Sequence, residues 1–120
     1  MSSRGLSLII EDDQDISGLI VLILNGAGFN VEPVASGVAG LRAAAVLQPD
    51  LITLDVGLPD MDGRDVARGL LIVCTAPIVM ITAHAGVDME LEGMAAGAIA
   101  HLVKPFRPAE LRALADRLCS

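Results

Sequence analysis

The chain has 120 residues and a formal net charge of −7; hydrophobic residues make up 53% of it and aromatic residues only 2%. This length fits one compact domain, and the apolar fraction is sufficient for a buried core. Scattered basic residues and so few aromatic rings disfavour direct contact with nucleic acid, which needs clustered cations or stacking surfaces.

The cysteines and the longest apolar run carry little functional signal. Cys74 and Cys119 match no metal-ligand spacing. No signal peptide is evident behind Met1, and the run from Leu70 to Ile81 contains Pro77 and is far shorter than the ~20 residues of a membrane span. These features predict a cytoplasmic protein that does not contact a membrane.

Short apolar runs alternate with segments of helical period along the chain. In chain order, the strands are predicted at Leu6–Ile10, Asn30–Val34, Leu51–Leu54, Ile78–Ile81 and Ile99–Val103. A helix is predicted after each strand. The first helix carries the apolar face Ile16–Leu24 and ends at Gly26 and Gly28. The others are predicted, in chain order, from Ser36 to about Leu47, from about Arg64, from about Val87 to Ala96, and from Pro108 to Leu118.

This regular alternation of strand and helix predicts an α/β fold with a parallel sheet and helices on both faces. Pro33 lies inside the second strand and has no amide proton to donate to a neighbouring strand. The second strand is therefore predicted at an edge of the sheet.

Four of the five strands end at a polar or ionisable residue, namely Asp12-Asp13, Asp55, Thr82 and Lys104. In open parallel sheets, ligands bind outside the carboxyl ends of the strands. Residues that are distant in sequence are thus expected to meet at one edge of the sheet.

Three carboxylates in one pocket repel one another, by about 4 kcal/mol for each pair at ~4 Å and an effective dielectric of about 20. Lys104 alone does not offset this, whereas a hard divalent ion such as Mg2+ fits a site made of Asp13, Asp55 and water. An Asp carboxylate can also act as a nucleophile and form an aspartyl phosphate. The pocket therefore suggests phosphoryl chemistry on Asp55.

The motifs together resemble the receiver domain of bacterial two-component response regulators, from about Leu6 to Leu118. The resemblance is carried by Glu11-Asp12-Asp13, Leu54-Asp55, Leu58-Pro59-Asp60-Met61-Asp62-Gly63, Ile81-Thr82-Ala83, Ala96-Gly97-Ala98 and Leu102-Val103-Lys104-Pro105-Phe106. It implies a flavodoxin-like five-stranded parallel sheet of order 2-1-3-4-5. It also implies a single receiver domain over residues 1–120, either complete or part of a longer regulator.

The resemblance implies a signalling switch rather than an enzyme with a separate substrate. A histidine kinase or a histidine phosphotransfer protein would donate a phosphoryl group from phosphohistidine to Asp55, and the domain would catalyse only its own phosphorylation and dephosphorylation. The cofactor would be Mg2+, or Mn2+ in its place. The face formed by the fourth predicted helix, the fifth strand and the fifth helix would then change, for recognition by an output domain or a second copy of the chain.

The resemblance also implies roles for individual residues. Asp13 would bind the metal directly together with Asp55, Asp12 would hold a metal-bound water, and the backbone carbonyl of Gly57 would be a further ligand. The phosphoryl group would be contacted by Thr82 and Lys104, and the bond before Pro105 is expected to be cis. His101 stands where the family carries an aromatic switch residue, and it is the candidate switch element of this chain.

Other interpretations of the same residues exist. Asp12 and Asp13 are also good helix caps. A haloacid-dehalogenase-like phosphohydrolase shares the nucleophile and the Mg2+, but it needs a second Asp where this chain has Gly57. A non-phosphorylated interaction module on the receiver fold is expected to have lost Asp55 or Lys104, and both are present.

Overall fold

The computed structural model describes residues 4–83 and 93–119 of the chain. The strands are β1 Leu6–Ile10, β2 Asn30–Val34, β3 Leu51–Asp55, β4 Ile78–Thr82 and β5 Ala100–Val103. The helices are α1 Gln14–Gly26, α2 Gly37–Leu47, α3 Gly63–Val73 and a C-terminal helix Pro108–Leu118. All neighbouring strands are parallel, and their order is β2-β1-β3-β4-β5. The predicted fold class and strand order are therefore confirmed.

Successive strand residues alternate between two apolar clusters, one on each face of the sheet. On one face, Leu54 and Met80 pack with α2 and α3 through Ala44, Val66 and Leu70. On the other face, the packing partners are α1 and the C-terminal helix, and the buried members include Ile9, Ile81, Ile20, Leu24, Leu111 and Leu114. Because β3 and β4 are buried along their whole length, the strand ends that carry polar residues are held rigidly.

The predicted edge position of the Pro33 strand is confirmed, since β2 pairs only with β1 within the described sheet. At the other edge, β5 begins at Ala100, one residue later than predicted. The helix predicted from Val87 to Ala96 falls mainly outside the described residues. Within the described ranges, no helix is both long enough and apolar enough to cross a membrane.

Each helix begins at a residue whose side chain or backbone satisfies its first amide groups. Ser36 Oγ accepts from Ala39 N at 3.1 Å at the start of α2. Asp62 Oδ1 accepts from Arg64 N at 2.9 Å, and α3 therefore starts at Gly63, one residue before the predicted start. These caps fix where the loops after the strands end.

Gly63 is packed against the backbone of the loop that leaves β3. A Cβ atom at Gly63 would lie 2.6 Å from Val56 Cα and 3.2 Å from Asp55 O. Since backbone cannot move aside as a flexible side chain can, Gly63→Ala is expected to lower the free energy of unfolding by about 1–3 kcal/mol. Urea denaturation followed by circular dichroism measures this change.

Gly18→Ala in α1 is the matched control, because a Cβ atom at Gly18 meets no atom within 4 Å. This change is expected to stabilise the protein by about 0.5–1 kcal/mol, the usual difference between Ala and Gly inside a helix. Equal stabilisation by both substitutions would show that the tight packing around Gly63 is not a constraint on the fold.

Candidate functional site

The carboxyl ends of β1, β3, β4 and β5 form one edge of the sheet, and a pocket opens above it. Asp55 is the last residue of β3 and Thr82 the last of β4, and both are buried. The cavity has a volume of about 310 Å³ and is lined by Glu11, Asp12, Asp13, Ile16, Asp55, Val56, Gly57, Thr82, Ala83 and Lys104. The structure thus brings Asp12, Asp13, Asp55, Thr82 and Lys104 to one pocket, as the strand-end pattern predicts. Gly57, which the resemblance implies, lines the same pocket.

Three carboxylates form the acidic centre of this pocket. A carboxylate oxygen of Glu11, one of Asp12 and one of Asp55 all lie within 4.8 Å of one another. Glu11 is only 3% exposed, and sequence reasoning did not select it as a site residue. The available signal was that β1 ends at Ile10, so that Glu11 is the first residue beyond the strand end.

Asp13, the predicted direct metal ligand, caps a helix in the structure. It is the N-cap of α1, and its Oδ1 accepts from Asp15 N at 2.9 Å and from Ile16 N at 3.1 Å. Among the described residues, the cluster of three carboxylates includes Glu11 and Asp12 but not Asp13. Asp13 lines the same pocket while its Oδ1 caps the first turn of α1. Its role as a direct metal ligand stays a prediction.

Lys104 supplies the fixed positive charge. Its Nζ lies 2.9 Å from Glu11 Oε1 and 3.2 Å from Asp55 Oδ1. The contact with Glu11 is an ion pair by distance and not an aligned hydrogen bond. Lys104 N donates to Thr82 O at 2.7 Å, and the following bond to Pro105 is cis, the isomer that the resemblance implies. The side chain is only 18% exposed, so its charge is directed into the pocket.

The three charged groups shift one another's pKa values. Burial and a hydrogen bond with Asp55 raise the pKa of Glu11 to about 7. Burial also acts to raise the pKa of Asp55, but hydrogen bonds from Glu11 and Gly57 N and the charge of Lys104 outweigh it and hold that pKa below its usual range. For Lys104, burial acts to lower the pKa, and the two carboxylates outweigh it and raise the pKa. Asp55 is therefore kept ionised at neutral pH, and Glu11 is the carboxyl group of the pair that holds a proton more readily.

Gly57 stands at the wall of the pocket, two residues after Asp55. Its amide donates to Asp55 Oδ1 at 3.1 Å. A Cβ atom at this position would have only Asp55 Oδ1 within 4 Å, at 3.8 Å. The missing side chain therefore leaves the approach to Asp55 open.

His101 lies outside the described lining of this pocket. It is half-buried on β5 opposite Met80, and it lines a groove of about 680 Å³ with residues of the C-terminal helix. Its Nε2 is buried and has no hydrogen-bond partner in the described part of the chain. A switch role for His101 stays a prediction.

Comparisons with known proteins agree with this geometry. Residues 7–116 match the family described as the response regulator receiver domain. The chain is 38% identical over 108 residues to the DNA-binding response regulator MtrA of Mycobacterium tuberculosis, covering 90% of this chain and 47% of that protein. It is 38% identical over 101 residues to the transcriptional regulatory protein KdpE of the same organism, covering 84% of this chain and 45% of that protein. The chain thus spans about half the length of these two relatives.

Two solved structures show the same fold. Chemotaxis protein CheY4 of Vibrio cholerae superposes with a TM-score of 0.88 at 31% identity, covering 94% of this chain and 97% of that one. The receiver domain of the sensor histidine kinase PA1611 of Pseudomonas aeruginosa, which has a magnesium ion coordinated in its active-site cleft, superposes with a TM-score of 0.85 at 29% identity, covering 98% of each chain. This chain belongs to the response regulator receiver domain family and so to two-component signalling.

Proposed function

We propose that this chain is a phosphoacceptor switch in which Asp55 takes a phosphoryl group from a phosphohistidine of a histidine kinase or a phosphotransfer protein. The observation that carries the proposal is the state of Asp55. Its carboxylate is buried at the floor of an open pocket, its pKa is held low, and Lys104 Nζ lies 3.2 Å away. A buried carboxylate that is kept ionised beside a cation is a competent nucleophile for phosphorus.

The transfer forms a bond between an Asp55 oxygen and phosphorus while the bond between phosphorus and the donor nitrogen breaks. The electron pair of that bond stays on the imidazole, which leaves as a neutral ring after protonation. Lys104 stabilises the charge that develops on the phosphoryl oxygens. Thr82 lines the same pocket, and its hydroxyl would contact one of these oxygens. The chain thereby acts on itself and not on a separate substrate.

The donor set suits Mg2+ or Mn2+, because carboxylate and carbonyl oxygens are the ligands that hard divalent ions prefer. Asp12, Asp55 and the carbonyl of Gly57 would hold the ion. Glu11 would act through water, since its Oε1 faces Lys104 and its Oε2 accepts from Asp13 N at 3.3 Å. When bound, the ion would neutralise charge on the carboxylates and on the incoming phosphoryl group.

The effect of phosphorylation would be transmitted from the pocket to β5. The backbone of Thr82 pairs with Val103, and the next residue, Lys104, contacts Asp55, so that β5 is coupled to the pocket. Movement of the surface that includes β5 and the C-terminal helix would then be recognised by an output domain or by a second copy of the chain. In this proposal residues 1–120 form one receiver domain, with His101 as its candidate switch residue.

The first test is chemical phosphorylation followed by intact-mass measurement. Wild-type protein incubated with Mg2+ and phosphoramidate is expected to gain the mass of one phosphoryl group, because a small donor needs no docking surface. Asp55→Asn removes the nucleophilic oxygen while keeping the size of the side chain, and it is expected to gain nothing.

A control variant shows whether the mass gain is specific to Asp55. Asp50→Asn changes another aspartate, which lies at the opposite end of β3 and accepts from Leu6 N, and it should leave the mass gain intact. An equal gain in wild type and in Asp55→Asn would sink the proposal. No gain in wild type under any of these conditions would instead favour an interaction module that works without phosphorylation.

A further inference from the structure

The loop that connects Asp55 to α3, residues 56–62, is bound to the first turn of α2. Asp60 accepts two hydrogen bonds there, from Gly37 N to Oδ1 at 2.9 Å and from Val38 N to Oδ2 at 3.0 Å. Asp60 is solvent-exposed, so burial does not hold it in place. Its two carboxylate oxygens form a bridge between elements that are more than twenty residues apart in sequence.

We propose that Asp60 is a positioning residue for the phosphoacceptor site, holding the loop that carries Gly57 at the correct distance from Asp55. This inference rests on the proposed function of Asp55. It goes beyond that function in assigning a role in the site to a residue that does not line the pocket in the described structure.

Gly57 depends on its neighbours for its position. A side chain at Gly57 would contact almost nothing, so packing does not hold this residue in place. The hydrogen bond from its amide to Asp55 Oδ1 holds Gly57 on one side only. Beyond Gly57, the loop is held by Leu58, which is 8% exposed in the core, and then by Asp60. Val56 N donates to Ile81 O at 3.0 Å on the strand side of Gly57. The Asp60 bridge is the polar attachment on the other side, and it limits movement of the loop whose Gly57 amide is bonded to Asp55 Oδ1.

The contact between the loop and α2 is close because Gly37 has no side chain. A Cβ atom at Gly37 would lie 3.0 Å from Met61 Sδ and 2.8 Å from Val66 Cγ2. Hydrogen bonds from the Gly37 and Val38 amides also lower the pKa of Asp60, and a negative charge is favourable at a helix N-terminus. The bridge is therefore intact at neutral pH.

The competing explanation is that Asp60 only caps α2 and does not position the loop. A second cap of the same helix provides a control. Ser36 already caps α2 by accepting a hydrogen bond from Ala39 N. Within the described ranges, its side chain makes no hydrogen bond to the loop between β3 and α3. Ser36→Ala therefore weakens the start of α2 without removing the bridge, whereas Asp60→Ala removes the bridge. Both variants are expected to lower the melting temperature.

The discriminating measurements are the Kd for Mg2+, from NMR titration, and the hydrogen-exchange rate of the Gly57 amide in the metal-free protein. Asp60→Ala is expected to weaken Mg2+ binding by about 10-fold, as loss of outer supporting bonds does at other metal sites, and to accelerate exchange at Gly57. Ser36→Ala is expected to change neither by more than about twofold. Asp60→Asn keeps one acceptor oxygen and should give intermediate values.

Equal effects of Asp60→Ala and Ser36→Ala on Mg2+ binding and on Gly57 exchange would overturn the positioning role. Failure of the proposed function is a separate outcome. If the wild-type protein neither binds Mg2+ nor accepts a phosphoryl group, the exchange rate at Gly57 still decides whether Asp60 holds the loop, and unchanged exchange in Asp60→Ala would reject it.

Discussion

Asp12→Asn is expected to weaken Mg2+ binding by about 100-fold or more, because it replaces the charged carboxylate of a proposed ligand in the cluster of Glu11, Asp12 and Asp55 with a neutral amide. Loss of supporting bonds alone typically costs 10–100-fold in metal affinity, and loss of a ligand is expected to reach or exceed the upper end of that range. The measurement is the Kd from the shift of backbone amide signals as MgCl2 is added.

Asp13→Asn is the matched control, one residue further along the chain. Asn caps helices about as well as Asp, so the bonds from Asp15 N and Ile16 N to this side chain are retained and the fold is preserved. Its Mg2+ affinity is expected to fall by no more than about threefold, since Asp13 lines the pocket without belonging to the cluster of three carboxylates and its exposed charge is screened by solvent. A larger loss in Asp13→Asn than in Asp12→Asn would support the predicted role of Asp13 as the direct ligand and contradict the one proposed for Asp12.

Lys104→Met is expected to slow the phosphorylation of Asp55 by phosphoramidate by about 10²–10³-fold, the usual cost of removing one preorganised group that stabilises transition-state charge. Methionine keeps the length of the side chain and removes the ammonium, which contacts both Glu11 and Asp55. The rate is followed by intact-mass measurement at fixed Mg2+ concentration.

Lys104→Arg tests whether charge alone is sufficient. Arginine keeps the positive charge but replaces a compact ammonium with a planar fork that fits the enclosed position less well, so an intermediate rate is expected. Thermal unfolding of both variants establishes that they are folded. A rate for Lys104→Met equal to that of wild type would show that the ammonium does not act on the phosphoryl group.

The features that the sequence predicted correctly are local ones. A buried strand reads as a short apolar run, and an amphipathic helix reads as an apolar face of period 3.6. Pro33 identifies an edge strand because it lacks an amide proton. The strand ends at Asp55, Thr82 and Lys104 follow from the same pattern, because parallel strands present their carboxyl ends at one edge of the sheet.

The choice among Glu11, Asp12 and Asp13 required the tertiary structure. All three are acidic and adjacent, and a shift of one residue in the strand end or the helix start decides which oxygens face the pocket. In the folded chain, Asp13 caps α1. Glu11, the first residue after β1, instead meets Lys104 from the opposite end of the sequence.

The Asp60 bridge to α2 was also decided only by the fold. In the sequence, Asp60 is one polar residue within a turn, and nothing near it indicates that its partners are the amides of Gly37 and Val38. Periodicity and turn chemistry describe neighbours along the chain, whereas a hydrogen bond between a loop and the start of a distant helix depends on how the helices pack on the sheet. The sequence by itself therefore determined the sheet and the approximate position of the pocket, and the packing determined which carboxylates line it and what holds its loop in place.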